Sequence, residues 1–323
     1  MAHEPAYSAG AGVQRVIPGG ADPFGAALQA DPAVALPVLD VAPPTKAGPL
    51  HKVQFVVEFV GPRSIPAPAA THLLASEWYQ ALGQPQLFAM RPADLQWQQL
   101  TNSIDGSYDS LALAWDMVTP RGSISKSAAT HLLQTAERFA PFIQRRVIPL
   151  PDPKEIDRVV KSLIEIRDAL DIGFALSIYA PPGGYRERDL WVMCARLGLK
   201  FGSHGSFDWQ LPGFAHPLLS VTPFGDTDAF ALSGVNAGAT HLGVTIGFSL
   251  PLSPSPSQAL QGCFHVAQII SRDMGGDVRD QDDRKLTEKI RQELRENLRL
   301  AIGAFSNAGM TTGAPEAVKL FAE

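Results

Sequence analysis

Several signatures are absent from this 323-residue chain. Cysteine occurs only twice, at Cys194 and Cys263, and both positions fall inside apolar helical patterns, so buried thiols are expected rather than a disulfide or a redox pair. Charged residues make up 18% of the sequence and the net charge is -5, which provides no basic field for nucleic acid or anionic lipid. No stretch approaches the roughly 20 consecutive apolar residues of a membrane span, and the start lacks the basic-then-apolar order of a leader. A soluble, cytoplasmic protein is expected, with membrane attachment only if an N-terminal anchor lies outside this sequence.

Motifs for chemistry are equally scarce. None of the eight histidines falls in an H-x-x-x-H or H-x-H spacing, so no metal site is predicted. His131 and His265 read as helix-rim imidazoles, and His204, between glycines, as part of a tight loop. The aspartates 277, 280, 282 and 283 lack the central glycine and closing glutamate of a calcium loop, and Arg279 and Arg284 balance them. The glycine run at 19–25 follows no strand, that at 183–189 lacks the lysine and hydroxyl of a phosphate loop, and no G-x-S-x-G occurs. No catalytic residue, cofactor, metal or small-molecule substrate is expected. RNA binding is disfavoured too, because no aromatic run with basic neighbours appears.

What remains is a pattern of strands and helices. Residues 1–50 are rich in Ala, Gly and Pro and read as a flexible segment, with a short docking piece near 36–41. In VQFVVEFV, Val53, Phe55, Val57 and Phe59 share one face of a strand. A helix over 69–82 follows, with Leu74, Trp78 and Leu82 on one stripe and Gly83 as its stop. Strands at QLFAM, DLQWQQL and SLALAWDMV precede a helix over 127–140, and Asp152-Pro153 caps another. From residue 172 the order recurs: strand GFALSIY, a helix ending at Gly198, SFDWQL, LLSV, HLGVTIGFSL, a helix from Pro256 and a last helix capped near Thr287. The prediction is an α+β protein of two related modules, 51–171 and 172–304, each a mostly antiparallel sheet with helices on one face. Trp97 and Trp209 take matching places in this probable duplication, and 305–323 reads as a tail.

The stretch 243–302 carries a resemblance. Its strand GVTIGFSLP, Pro/Ser turn, amphipathic helix ending in Gly275-Gly276, acidic DVRDQDDR and second helix resemble the C-terminal domain family of ZipA, which tethers FtsZ in bacterial division. The likeness is colinear over 218–302, and similarity to longer ZipA-like proteins of some proteobacteria extends it back to about Val53. AWDMVTPRG also looks like the family's strand-to-turn segment. The resemblance implies a non-enzymatic partner of the FtsZ C-terminal tail, acting at the septum through an open sheet face.

Strand alternation assigns that face. Phe174, Leu176, Ile178, Leu219, Val221, Val244, Ile246, Phe248 and Leu250 should lie under helices. Ala175, Ser177, Tyr179, Thr222, Phe224, Thr245, Gly247 and Ser249 form the opposite set, which the resemblance marks as peptide-binding. In the first module Trp115 and Met117 are further peptide-binding candidates, although alternation with Leu111 and Leu113 turns them inward. A soluble interaction scaffold with another partner is the alternative reading.

Overall fold

The computed structural model describes residues 28–44, 48–61, 65–66, 77–100, 107–225 and 228–322. The first module contains β1 (Gln54–Val60), α1 (Glu77–Ala81), β2 (Gln86–Met90), β3 (Trp97–Gln99), β4 (Ser110–Asp116), α2 (Lys126–Phe139), β5 (Arg146–Leu150) and α3 (Ile156–Leu170). The second contains β6 (Gly173–Tyr179), α4 (Glu187–Arg196), β7 (Lys200–Phe201), β8 (Phe207–Trp209), β9 (Leu219–Phe224), α5 (Leu232–Ala237), β10 (Gly243–Ser249), α6 (Pro256–Met274), β11 (Asp277–Asp280), α7 (Glu288–Asn307) and α8 (Pro315–Phe321).

Local chemistry sets the helix boundaries. The Ser125 hydroxyl accepts the Ala128 N–H at the start of α2, the Asp152 carboxylate accepts from Lys154 before α3, and Thr287 Oγ1 accepts from Ile290 before α7. At the other end, Gly83 and Gly198 take the left-handed conformation that ends a helix. Of the helix expected over 69–82, residues 77–82 are described, and 77–81 are helical. Leu74 and the Trp78 side chain lie outside them.

The α+β class holds, and both sheets are antiparallel. Their strand orders are β3-β2-β4-β1-β5 and β7-β8-β9-β10-β6-β11. Each sheet places its first strand between the last long strand before a helix and an edge strand after it, β4-β1-β5 in one and β10-β6-β11 in the other. The remaining strands differ: in the first sheet the earlier hairpin strand, β2, lies inside, while in the second the later one, β9, does. The structure therefore does not establish a duplication. Trp97 and Trp209 are not equivalent either. Trp209 is buried in the main core against Gly262, whereas Trp97 packs with Val56, Phe88, Ala112 and Ala114 on the face away from the helices.

Two strands read differently in the sequence. RVIPL forms β5 beside β1, and the first half of the acidic loop forms β11 beside β6. The C-terminal residues are no tail. Phe305, Met310, Ala317 and Leu320 are buried, the Phe305 and Phe321 rings lie 5.4 Å apart, and α3 touches both α7 and α8. One hydrophobic core thereby runs through both modules. At the other terminus, Val34 and Leu36 are buried, Asp31 pairs with Arg196 at 3.1 Å, and the His265 Nε2 lies 2.7 Å from the Val34 carbonyl. Docking there begins earlier in the chain than the 36–41 expectation.

A shared core predicts shared unfolding. Phe305→Ala should cost about 3–5 kcal/mol, the usual loss for a buried phenylalanine. Urea denaturation followed by Trp fluorescence and far-UV circular dichroism should show one transition moved to lower urea, and two separated transitions would contradict the shared core.

Candidate functional site

The register of the second sheet brings the predicted face together. Ala175 lies opposite Gly247, which lies opposite Ser220. Ser177, Thr245 and Thr222 form a second row, and Tyr179, Gly243 and Phe224 a third. Ser249 continues the same face, opposite Gly173. Phe174, Leu176, Ile178, Val221, Val244, Ile246 and Phe248 point the other way and are buried, with α6 packed across β6, β9 and β10. Period-two alternation thus sorts bulky residues beneath the helix and small ones onto the open side.

The face is a shallow trough with unlike ends. At one end Tyr179, 43% exposed, meets the Phe224 ring edge-on at 5.2 Å. A side chain at Gly243 would come within 2.2 Å of that ring, so the aromatic wall requires glycine there. The Arg279 guanidinium sits 5.5 Å from the Tyr179 ring, held by Asp277 at 3.0 Å and Asp283 at 2.9 Å. Leu242, 66% exposed, lies just before β10, its N–H donating to the Phe224 carbonyl. Just before it, buried His241 contacts Glu187 at 3.3 Å, and Glu187 also accepts the Ala231 N–H at 2.6 Å. At the opposite end, Asp208 accepts from Ser206 at 2.8 Å and Ser220 at 2.7 Å.

Both sheet edges are protected. β7 has only two residues, and the outer side of β11 is bonded by its own chain, Asp280 N–H to the Arg284 carbonyl and Leu286 N–H to the Val278 carbonyl. An extended segment would therefore find little free strand edge on this sheet. Asp280 anchors the protecting turn. Burial pushes its carboxyl group up, but hydrogen bonds from the Arg284 side chain and from the Arg284 and Asp282 backbone outweigh burial and hold it below the usual carboxylate value.

Trp115 and Met117 are placed as burial demands. Met117 is fully buried, and Trp115 faces the helix layer beside Phe55, its indole N–H donating to the Leu82 carbonyl at 2.7 Å. They form no exposed pair on an open sheet face, because β4 pairs Trp115 with the core-facing Phe55. Asp208, Ser220, Leu242 and Arg279 belong to the candidate site but went unread in the sequence. Ser220 and Arg279 follow from alternation once the pairing is known; Leu242, in a bend outside the strand, carries no periodic signal.

Cys194 and Cys263 are buried, and burial raises both thiols far above their ordinary value, which keeps them protonated. His131 and His204 are exposed. Among the described residues no group of His, Cys, Asp and Glu is arranged to hold a metal ion, and no helix is long and apolar enough to cross a membrane.

Because Asp280 is held below its unfolded value near 4, its contribution to stability is present above that pH and lost as pH falls through the lowered folded value. Asp280→Ala should remove about 1.5–3 kcal/mol of charged hydrogen bonding at neutral pH. Hydrogen exchange should quicken at the Leu286 amide, which donates to the Val278 carbonyl on the outer side of β11. Unchanged exchange there would show that the turn is held by other means.

Residues 174–297 match the family described as ZipA, C-terminal FtsZ-binding domain. No curated protein matches the chain. The matched span runs from the second residue of β6 into α7 and contains every strand of the second sheet. Over this span the chain is similar to the ZipA C-terminal FtsZ-binding domain family, and the second module is in that sense ZipA-like.

Proposed function

We propose that this chain is a non-enzymatic cell-division protein that binds the C-terminal peptide of FtsZ across the open face of β6, β10 and β9, at the septum on the cytoplasmic side of the membrane. The observation that carries the reading is the overlap between the family match and this sheet. Ala175 and Gly247 keep the floor low enough for a peptide backbone to approach. Ser177, Thr222, Thr245 and Ser249 offer hydroxyls to its polar groups. Tyr179, Phe224 and Leu242 receive its apolar side chains, and aromatic groups of this kind dominate binding energy at protein interfaces.

With so few large apolar groups on the face, affinity depends on the aromatic wall. Direct capture is expected near 100 µM, about -5.5 kcal/mol. A labelled FtsZ C-terminal peptide followed by fluorescence anisotropy measures it. Tyr179→Ala and Thr245→Arg should each weaken binding about tenfold, roughly 1.4 kcal/mol, with little change in melting temperature. No saturation at several hundred micromolar would sink the proposal and leave the scaffold reading.

A further inference from the structure

The junction between the modules holds a groove built by residues outside the sheet face. After β4 the chain makes a small hairpin, Val118–Thr119 pairing with Gly122–Ser123. On one side lies a cleft of about 460 Å³ whose walls include Val118, Pro120, Phe214, Leu252, Pro315 and Val318. These come from the first module, the second module and α8, so the cleft exists only while all three are docked. On the other side a shallower cleft of about 420 Å³ is bordered by Leu82, Trp115, Ile124, Leu132 and Arg121. Asp116 and Thr119 line both, so the two clefts meet at the root of the hairpin. Each volume lies within the range of roughly 300–1,000 Å³ typical of ligand sites.

Charge distinguishes what fits. Asp116 is satisfied, lying 2.9 Å from the Lys319 ammonium and accepting from Gln54 at 2.9 Å. Arg121 is exposed and has no ion-pair partner among the described residues. The groove therefore offers two apolar walls and one uncompensated positive charge.

We infer that this groove is a second docking site, for an extended peptide segment carrying one carboxylate between bulky apolar side chains. An extended chain advances about 3.3 Å per residue with side chains alternating in direction. Its apolar groups can thus enter the clefts on both sides of the hairpin while the carboxylate meets Arg121. Trp115 has its indole N–H committed to Leu82 and presents only ring surface, which suits an apolar neighbour. The site shares no residue with the open face of β6, β9 and β10.

The test uses the full chain and a labelled peptide, Ser-Phe-Leu-Asp-Leu-Phe-Ser, followed by anisotropy. Saturable binding is expected. Val318→Arg should weaken it about tenfold by filling the deeper cleft, and Pro120→Arg, at the exposed rim, provides the same block if the first variant loses stability. Arg121→Glu should weaken binding about fivefold, and a peptide with Lys in place of Asp should prefer Arg121→Glu to the parent. Thr245→Arg should leave all of these values unchanged. The proposal is overturned by no saturation at about a millimolar, by indifference to both cleft-filling variants, by charge-independent binding, or by loss with Thr245→Arg.

Discussion

The pairing of β6 with β10 is the constraint on which the remaining structure depends. Seven residue pairs, from Gly173 with Ser249 to Tyr179 with Gly243, lock these strands in one register. A slip of one residue would turn Phe174, Leu176 and Ile178 out to water and bury Ser177 and Tyr179 instead. Burying the larger set beneath α6 therefore fixes both the core and the composition of the open face. β9 joins β10 in the same phase, so Thr222 and Phe224 complete rows begun by Ser177 and Tyr179. The sheet edges offer little for further pairing as well, since β7 has only two residues and β11 is bonded on its outer side by its own chain.

How much could be read in advance follows the reach of each physical signal. Alternation is local, and it assigned Ala175, Ser177, Thr245 and Gly247 to one side without any knowledge of partners. Capping is local too, and Ser125, Asp152 and Thr287 lie where helices begin. DVRDQDDR has almost no apolar alternation and so reads as a loop; the place of β11 comes from backbone pairing with β6 and from arginine–aspartate contacts that form only after folding. RVIPL gives little strand signal because it is short and contains proline, which is tolerated at the sheet edge that β5 occupies. The burial of Phe305, Met310 and Leu320 depends on α3, far away in the chain, and the contact of His241 with Glu187 on a separation of 54 residues. Strand order is also a long-range property, which is why similar element sequences in the two halves gave unlike sheets.

The open face differs from a deep recognition groove in that its floor is small and hydroxylated. Its apolar area is gathered where Tyr179 and Phe224 meet, with the exposed Leu242 next to Gly243 in the chain. Gly243 permits this arrangement, His241 and Glu187 fasten the chain beside it, and Arg279 packs over Tyr179. Specificity under the proposed function would rest on one aromatic corner and on hydroxyls spaced by the sheet. The first module meanwhile contributes to the shared core and forms part of the junction groove, so it is structurally inseparable from the module that carries the family match.

The most direct test of the central claim is a residue-resolved amide NMR titration of the full chain with the FtsZ C-terminal peptide. The account predicts shifts concentrated at Ser177, Tyr179, Thr222, Phe224, Thr245 and Gly247, with small changes at buried β4 and around the hairpin at residues 118–123. Shifts confined to the junction groove or the first sheet, with the β6–β10–β9 face unmoved, would contradict it.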